Sequence, residues 1–124
     1  MSTLTISTAG PVVTVSLNRP QARNAFDEQL VAELAAWASA PLPPHVRVAV
    51  LRGDGKVFSA GADLTWMSKM VAYSHEENVR DARAVSAMFL ALDALPVPLV
   101  GRVHGAALGA VSYTHLTLPT ILRV

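Results

Sequence analysis

The sequence contains no cysteine, few aromatic residues and almost no excess of either charge. Only 6% of its 124 residues are aromatic, and the formal net charge is +1. The lack of cysteine excludes disulfides, thiolate nucleophiles and zinc–thiolate sites. A nearly neutral chain also gives no reason to expect a nucleic-acid partner.

Long apolar runs are also missing, although small apolar residues are plentiful. Hydrophobic residues make up 52% of the sequence, but none of the runs approaches the ~20 residues needed to cross a bilayer. The first residues show neither a basic stretch followed by an apolar core nor an Arg-rich leader. We therefore expect one modest domain, located in the cytoplasm and without a membrane partner.

Apolar periodicity and turn residues predict an α/β chain. Four strands are predicted, over residues 4–7, 12–17, 46–51 and 99–103. The sequences Gly10-Pro11 and Arg52-Gly53-Asp54-Gly55 predict turns. Strands and helices follow one another as strand–strand–helix units, with no linker or repeat between them.

Three helices are predicted, over residues 27–40, over a short stretch after Asp63, and over residues 74–95. Asp27 suits the N-cap of the first helix, and Ser74 with Glu77 forms a capping box for the third. The apolar residues singled out in the three helices are Leu30, Leu34 and Trp37; Leu64, Met67 and Met70; and Val79, Ala82, Val85, Phe89 and Leu92.

Two segments, residues 56–64 and 103–110, share one pattern that points to chemistry. Each is predicted to be a strand end, a glycine-containing turn and a helix start. Backbone N–H groups are free at helix starts, where the helix dipole also favours negative charge. Two such ends facing one point would stabilise the oxyanion that forms on a reacting thioester or ester carbonyl.

Three motifs resemble signatures of the enoyl-CoA hydratase/isomerase (crotonase) superfamily. They are Ser-Leu-Asn-Arg-Pro-Gln-Ala-Arg-Asn-Ala-Phe at 16–26, Phe-Ser-Ala-Gly-Ala-Asp at 58–63, and Val-His-Gly-Ala-Ala-Leu-Gly-Ala at 103–110. The runs Ala-Gly-Ala-Asp-Leu-Thr-Trp-Met and Val-Ala-Tyr-Ser-His-Glu-Glu-Asn are most similar to branched-chain members such as methylglutaconyl-CoA hydratases. The resemblance implies the amino-terminal part of a spiral of strand–strand–helix units.

The resemblance also implies a site. The backbone N–H groups of Ala62 and Ala110 would form the oxyanion hole, although many family members have glycine at the second position. CoA is part of the acyl-CoA or enoyl-CoA substrate, so the family implies no separate cofactor, and the histidines lack metal-ligand spacing. Full-length relatives would assemble as homotrimers or dimers of trimers.

Contacts with CoA are implied at four further positions, each with a plainer alternative. Ala60, Asp63 and Leu64 match places along the adenine and pantetheine, and Arg23 falls near the CoA phosphates. Asp63 is more simply a helix cap than a proton donor, and Arg23 could equally be a solvated loop arginine. In the same way, His104 is expected to bond a local carbonyl rather than act as an acid or base.

The resemblance breaks after Ala110. The family places its first catalytic glutamate where this chain has Tyr113, and after Glu77 the sequence has no glutamate. Residues 111–124 have no helical period and contain many β-branched residues and a proline. We therefore interpret residues 1–110 as a partial crotonase-like domain and residues 111–124 as a tail foreign to it.

Two classes of function follow from this interpretation. The parent protein would be a lyase that hydrates an enoyl-CoA in fatty-acid or branched-chain amino-acid breakdown, with the present chain inactive for lack of the glutamates. A family isomerase, decarboxylase or thioesterase with the same oxyanion hole is an alternative. The other class is a non-catalytic fragment that at most binds CoA. Trp66 and Met67 are most simply core or pocket-lining residues, and family position alone would place them along the acyl pocket.

Overall fold

Five strands form one sheet in the computed structural model, which describes residues 2–61 and 63–105 and the backbone of 120–123. They are β1 (Leu4–Ala9), β2 (Val12–Leu17), β3 (Val48–Gly53), β4 (Leu99–Val103) and β5 (Thr120–Arg123). The strands lie in the order β1-β2-β3-β4-β5. β1 is antiparallel to β2, and all other neighbours are parallel. The carboxyl ends of β2, β3 and β4 therefore meet at one edge of the sheet.

The described part of the chain contains three α-helices, and their starts were predictable. They are α1 (Glu28–Ser39), α2 (Leu64–Ala72) and α3 (His75–Asp93). Asp27 caps α1 by accepting a hydrogen bond from the Leu30 N–H, which confirms the predicted N-cap. The capping box of Ser74 and Glu77 at the start of α3 is present in both directions.

One apolar cluster joins the sheet to the helices. Alternate residues of β2, β3 and β4 point into it, as the period of two requires. Its strand members include Leu4, Val13, Val15, Leu17, Ala49, Leu51, Leu99 and Val103, and its helix members include Leu30, Val31, Leu34, Trp66, Met88 and Leu92. α1 packs along α3, so the first and third helices cover the sheet together.

Several predicted boundaries differ from the structure. β1 continues to Ala9, which pairs with Val12 of β2. Its residues after Leu4 are exposed, so the sequence gives little apolar signal for where the strand ends. Arg52 and Gly53 belong to β3 and pair with the end of β2, so the predicted turn begins only after Gly53. The pattern predicted no element after residue 110, whereas residues 120–123 form β5 beside β4.

Helix burial also differs from the sequence pattern. In α2 the buried residue is Trp66, whereas Leu64 is 77% exposed and Met67 is 47% exposed. The apolar face of α3 is covered only toward its carboxyl end, where Met88 and Leu92 are buried. Periodicity identified an apolar face in each helix, but not the part of that face that the sheet and α1 reach.

Candidate active site

Two loops lie against each other at the carboxyl edge of the parallel strands. Residues 18–27 follow β2, and residues 54–63 follow β3. The ends of these strands, Leu17 and Gly53, are paired in register, so the loops leave the sheet side by side. In open α/β sheets, ligands bind in the crevice outside the carboxyl ends of the strands.

Backbone hydrogen bonds join the two loops. The Ala60 N–H donates to the Arg23 carbonyl at 2.9 Å, and the Phe26 N–H donates to the Gly61 carbonyl at 2.7 Å. The Asp63 N–H donates to the Phe26 carbonyl at 2.7 Å. These bonds fix the backbone of Ala60, Gly61 and Asp63 against the first loop.

Asn24 fixes the second loop through its side chain. It is fully buried and adopts φ +54°, a left-handed conformation that asparagine tolerates better than most residues. Its Oδ1 accepts from the Arg19 N–H at 2.8 Å. Its Nδ2 lies 2.7, 3.1 and 3.2 Å from the carbonyl oxygens of Asp54, Val57 and Phe58, respectively. Sequence reasoning singled out no role for this residue.

Ser59 is the other buried polar residue between the loops. Its hydroxyl donates to the Asn24 carbonyl at 2.7 Å and accepts from the Gly61 N–H at 3.1 Å. Ser59 is fully buried, and both of these contacts are to backbone. Its hydroxyl therefore shapes the turn, and the geometry gives it no nucleophilic role.

Asp63 caps α2, as the sequence predicted. Its Oδ1 accepts from the Trp66 N–H at 3.0 Å, and its Oδ2 lies 3.3 Å from Arg19 Nη2. The same Arg19 nitrogen lies 3.5 Å from Oδ2 of Asp27. The Trp66 N–H and the Arg19 guanidinium hold the pKa of Asp63 below its ordinary value, although burial opposes them.

Because this pKa is lowered by folding, we expect Asp63 to stabilise the chain in a pH-dependent way. The contribution is fully present above the unfolded pKa of about 3.9 and is lost as pH falls through the lower folded pKa. Asp63→Asn keeps a capping oxygen but loses the charge, so it should cost about 1 kcal/mol of unfolding free energy near neutral pH. Urea unfolding of both proteins between pH 7 and pH 2 measures this difference. A difference that stays constant over this range would contradict the interpretation.

The second sequence segment begins beside the first, as expected for one site. The Phe58 N–H donates to the His104 carbonyl at 2.8 Å. A Cβ on Gly105 would lie 2.4 Å from the Lys56 carbonyl oxygen, so the backbones touch at this point. The His104 ring bonds the Gly55 carbonyl, with 2.8 Å between Nε2 and oxygen, which confirms the expectation of a local partner.

A cleft of about 450 Å³ lies between the starts of α1 and α2. Its lining residues include Arg19, Asp27, Asp63, Trp66 and Lys69. Trp66 is buried, and its Nε1 donates to Asp81 Oδ2 at 3.1 Å, so the indole joins α2 to α3. This contact favours core over an acyl pocket for Trp66.

Neither a metal centre nor a membrane-spanning helix is found in the described part of the chain. Among these residues, the histidines, aspartates and glutamates form no group of three that could hold a metal ion. The described helices are too short or too polar to cross a membrane.

Comparison with known proteins identifies the family. The family model for enoyl-CoA hydratase/isomerase matches residues 7–117. The chain belongs to the enoyl-CoA hydratase/isomerase family. It is 37% identical to the 2,3-dehydroadipyl-CoA hydratase of Escherichia coli K12 over 114 residues, which cover 89% of this chain and 42% of that protein.

Solved structures of the family confirm the α/β fold. AtuE of Pseudomonas aeruginosa matches with a TM-score of 0.92 and 32% identity, over 99% of this chain and 48% of that one. A Thermobifida fusca protein solved with acetoacetyl-CoA matches with a TM-score of 0.84 and 26% identity, over 98% of this chain and 51% of that one. The chain thus matches the amino-terminal half of crotonase structures, and it spans about two fifths of the first curated relatives.

The structure places some of the family's site positions together and does not describe others. Ala62 and Ala110, the two positions expected to form an oxyanion hole, lie outside the described residues. Ala60 and Asp63 are joined to the first loop as above, and the Arg23 carbonyl takes part in that junction while its side chain is exposed. Leu64 begins α2 with its side chain in solvent.

Proposed function

We propose that this chain carries the acyl-CoA-binding part of an enoyl-CoA hydratase/isomerase. Within it, the backbone N–H groups of Ala62 and Ala110 would donate to the thioester oxygen. The observation that carries the proposal is the set of backbone bonds fixing Ala60, Gly61 and Asp63, the residues around Ala62 in sequence. A pre-organised oxyanion donor is worth about 2.7–4 kcal/mol of transition-state stabilisation.

CoA would lie along Ala60, Asp63 and Leu64, with its phosphates near Arg23. Leu64 offers an exposed apolar side chain at the start of α2, directly after the clamped turn. Arg23 lies in the first loop with its side chain exposed, and its carbonyl accepts the Ala60 N–H. Support also comes from the acetoacetyl-CoA complex of the Thermobifida fusca relative, whose fold includes nearly all of this chain.

The parent reaction would be hydration of an enoyl-CoA, with a branched methylglutaconyl-like acyl group suggested by the sequence after Gly61. The present chain should itself hydrate little, because Tyr113 stands at the family's first glutamate position and a phenol is too weak a base to activate water at neutral pH. Residues 1–110 would carry the family domain, and residues 111–124 would be a tail foreign to it. Assembly into trimers, as the resemblance implies, would belong to the full-length parent.

Binding without turnover is therefore the expected behaviour of the 124-residue chain. Calorimetric titration with acetoacetyl-CoA should show saturable binding. Incubation of the same sample with a short enoyl-CoA should leave the absorbance of the conjugated thioester unchanged, while a full-length family hydratase removes it. Rapid hydration would contradict the inactive assignment, and absence of binding at millimolar ligand would contradict the proposed function.

The matched controls separate the CoA nucleotide from the thioester. Arg23→Asn removes the charge and keeps a residue that tolerates φ +53°. It should weaken acetoacetyl-CoA binding about two- to fivefold, as expected for an exposed ion pair, and leave binding of the acetoacetyl-pantetheine thioester unchanged. Arg47→Asn, at an exposed arginine before β3, should affect neither ligand. Equal effects of the two substitutions would show that Arg23 has no specific role in binding CoA.

A further inference from the structure

We propose that Arg19 is the positioning residue of this site: it holds the 59–63 turn in place by joining the two aspartates that cap α1 and α2. The effect of Arg19 on ligand binding depends on the proposed function, whereas its effect on the turn does not.

The Arg19 guanidinium has two hydrogen-bond acceptors, the Asp63 carboxylate and the Ala25 carbonyl, and forms a further ion pair with Asp27. Its Nη2 lies 3.3 Å from Oδ2 of Asp63 and 3.5 Å from Oδ2 of Asp27, and its Nη1 donates to the Ala25 carbonyl. The other oxygen of each aspartate, Oδ1, accepts a backbone N–H of its own helix. Each carboxylate therefore connects a helix start to the same guanidinium.

Charge explains why these two carboxylates can sit so close together. A helix N-terminus favours an anion, but two anions beside one nitrogen repel each other unless a cation lies between them. The Arg19 side chain is only 16% exposed, so water screens this repulsion weakly. A lysine would supply the charge but not the planar fork, because its ammonium is a single point.

Arg19 also acts on the turn through the backbone. Its carbonyl accepts from the N–H groups of Ala22 and Asn24, at 2.9 and 2.8 Å. These bonds shape the loop whose Arg23 carbonyl receives the Ala60 N–H. Arg19 thus acts at both Asp63 and Ala60. Its side chain pairs with Asp63, and its carbonyl shapes the loop that holds Ala60.

Hydrogen exchange of the whole chain, followed by mass spectrometry, tests this role without requiring activity. Arg19→Lys should speed exchange in peptides covering residues 59–63 about ten- to hundredfold, the range expected for losing hydrogen bonds to charged groups. Peptides from β2, β3 and α3 should exchange as in the unmodified chain. Uniform acceleration of all peptides, or none at 59–63, would overturn the proposal.

Two further variants make the test specific. Asp63→Asn keeps a cap on α2 and removes only the ion pair. It should speed exchange at residues 59–63 about fivefold, the equivalent of about 1 kcal/mol, even if Arg19→Lys fails to fold. Arg52→Lys is the matched control, because Arg52 at the end of β3 pairs with Asp54 at 3.6 Å, at the start of the loop that contains the turn. It should leave residues 59–63 protected. An effect of Arg52→Lys equal to that of Asp63→Asn would contradict the assignment.

Ligand affinity provides the second measurement. Arg19→Lys should weaken acetoacetyl-CoA binding about tenfold if the turn holds the thioester. If the unmodified chain does not bind the ligand, the proposed function fails while the exchange result still decides the role of Arg19. If the ligand binds equally well to both proteins, Arg19 shapes the turn without positioning it for binding, and the proposal is wrong.

Discussion

Asn24→Asp is expected to lower the free energy of unfolding by about 3–5 kcal/mol, the loss typical of an uncompensated buried charge. Nδ2 of Asn24 lies between the carbonyl oxygens of Asp54, Val57 and Phe58. An aspartate oxygen at that place would face the three oxygens with no hydrogen to share. Small domains are stable by only about 5–15 kcal/mol, so the variant should be largely unfolded or should unfold at far lower urea.

Two controls identify the cause of this loss. Asn18→Asp makes the same charge change at an exposed position of the same loop and should alter stability by less than about 0.5 kcal/mol. In the Asn24→Gly protein, glycine adopts the left-handed backbone without strain, and only the side-chain hydrogen bonds are lost. Its free energy of unfolding should therefore lie between those of Asn24→Asp and Asn18→Asp. Urea unfolding followed by circular dichroism ranks the three proteins. An Asn24→Asp protein as stable as Asn18→Asp would show that the amide does not hold the loop.

The contrast between Asn24 and Asp63 shows which parts of the site a sequence can predict. Asp63 directly precedes a helix, and its capping partner is three residues away, so a local pattern is enough to predict it. Asn24 bonds carbonyls that are 30 to 34 residues away. The residues next to Asn24 in the sequence do not indicate these hydrogen bonds, because the two loops meet only once β2 and β3 are paired.

The same distinction applies to the fold. The strands 12–17 and 99–103 were predicted at their observed ends, because each is a continuous run of mainly apolar or β-branched residues between turn residues. The end of β1 was missed because its exposed residues have no apolar signal. In α2, Trp66 was left out of the predicted apolar face. It is buried, and its indole N–H donates to Asp81 of α3, a contact between helices that the pattern of α2 alone does not reveal.

Arg19 illustrates the intermediate case. Its place in the first signature was recognised, but its partner Asp63 is 44 residues away, and sequence alone assigned a role only to Asp63. The family resemblance supplied the order of the motifs and the positions of the site. The contacts that join these motifs became visible only with the loops in place.

The junction between the two halves of the site leads to the second large effect, expected for Gly105→Ala. Gly105 has φ +63°, and an added Cβ would lie 2.4 Å from the Lys56 carbonyl oxygen and 3.2 Å from the Val57 Cα. Both neighbours are backbone, so neither can rotate away. The left-handed conformation costs about 1–2 kcal/mol for a residue with a Cβ, and overpacking adds about 1–3 kcal/mol.

Gly10→Ala separates these two costs. Gly10 has nearly the same backbone angle, φ +56°, but a Cβ there would meet no atom within 4 Å. It should therefore lose only the conformational part, about 1–2 kcal/mol, and the difference between the two variants measures the contact between the 56–58 and 103–105 segments. Urea unfolding gives that difference when the two variants show the same dependence of unfolding free energy on urea concentration. Equal losses would mean that the backbones do not touch, and the 103–105 segment would then not lie beside the 56–58 segment.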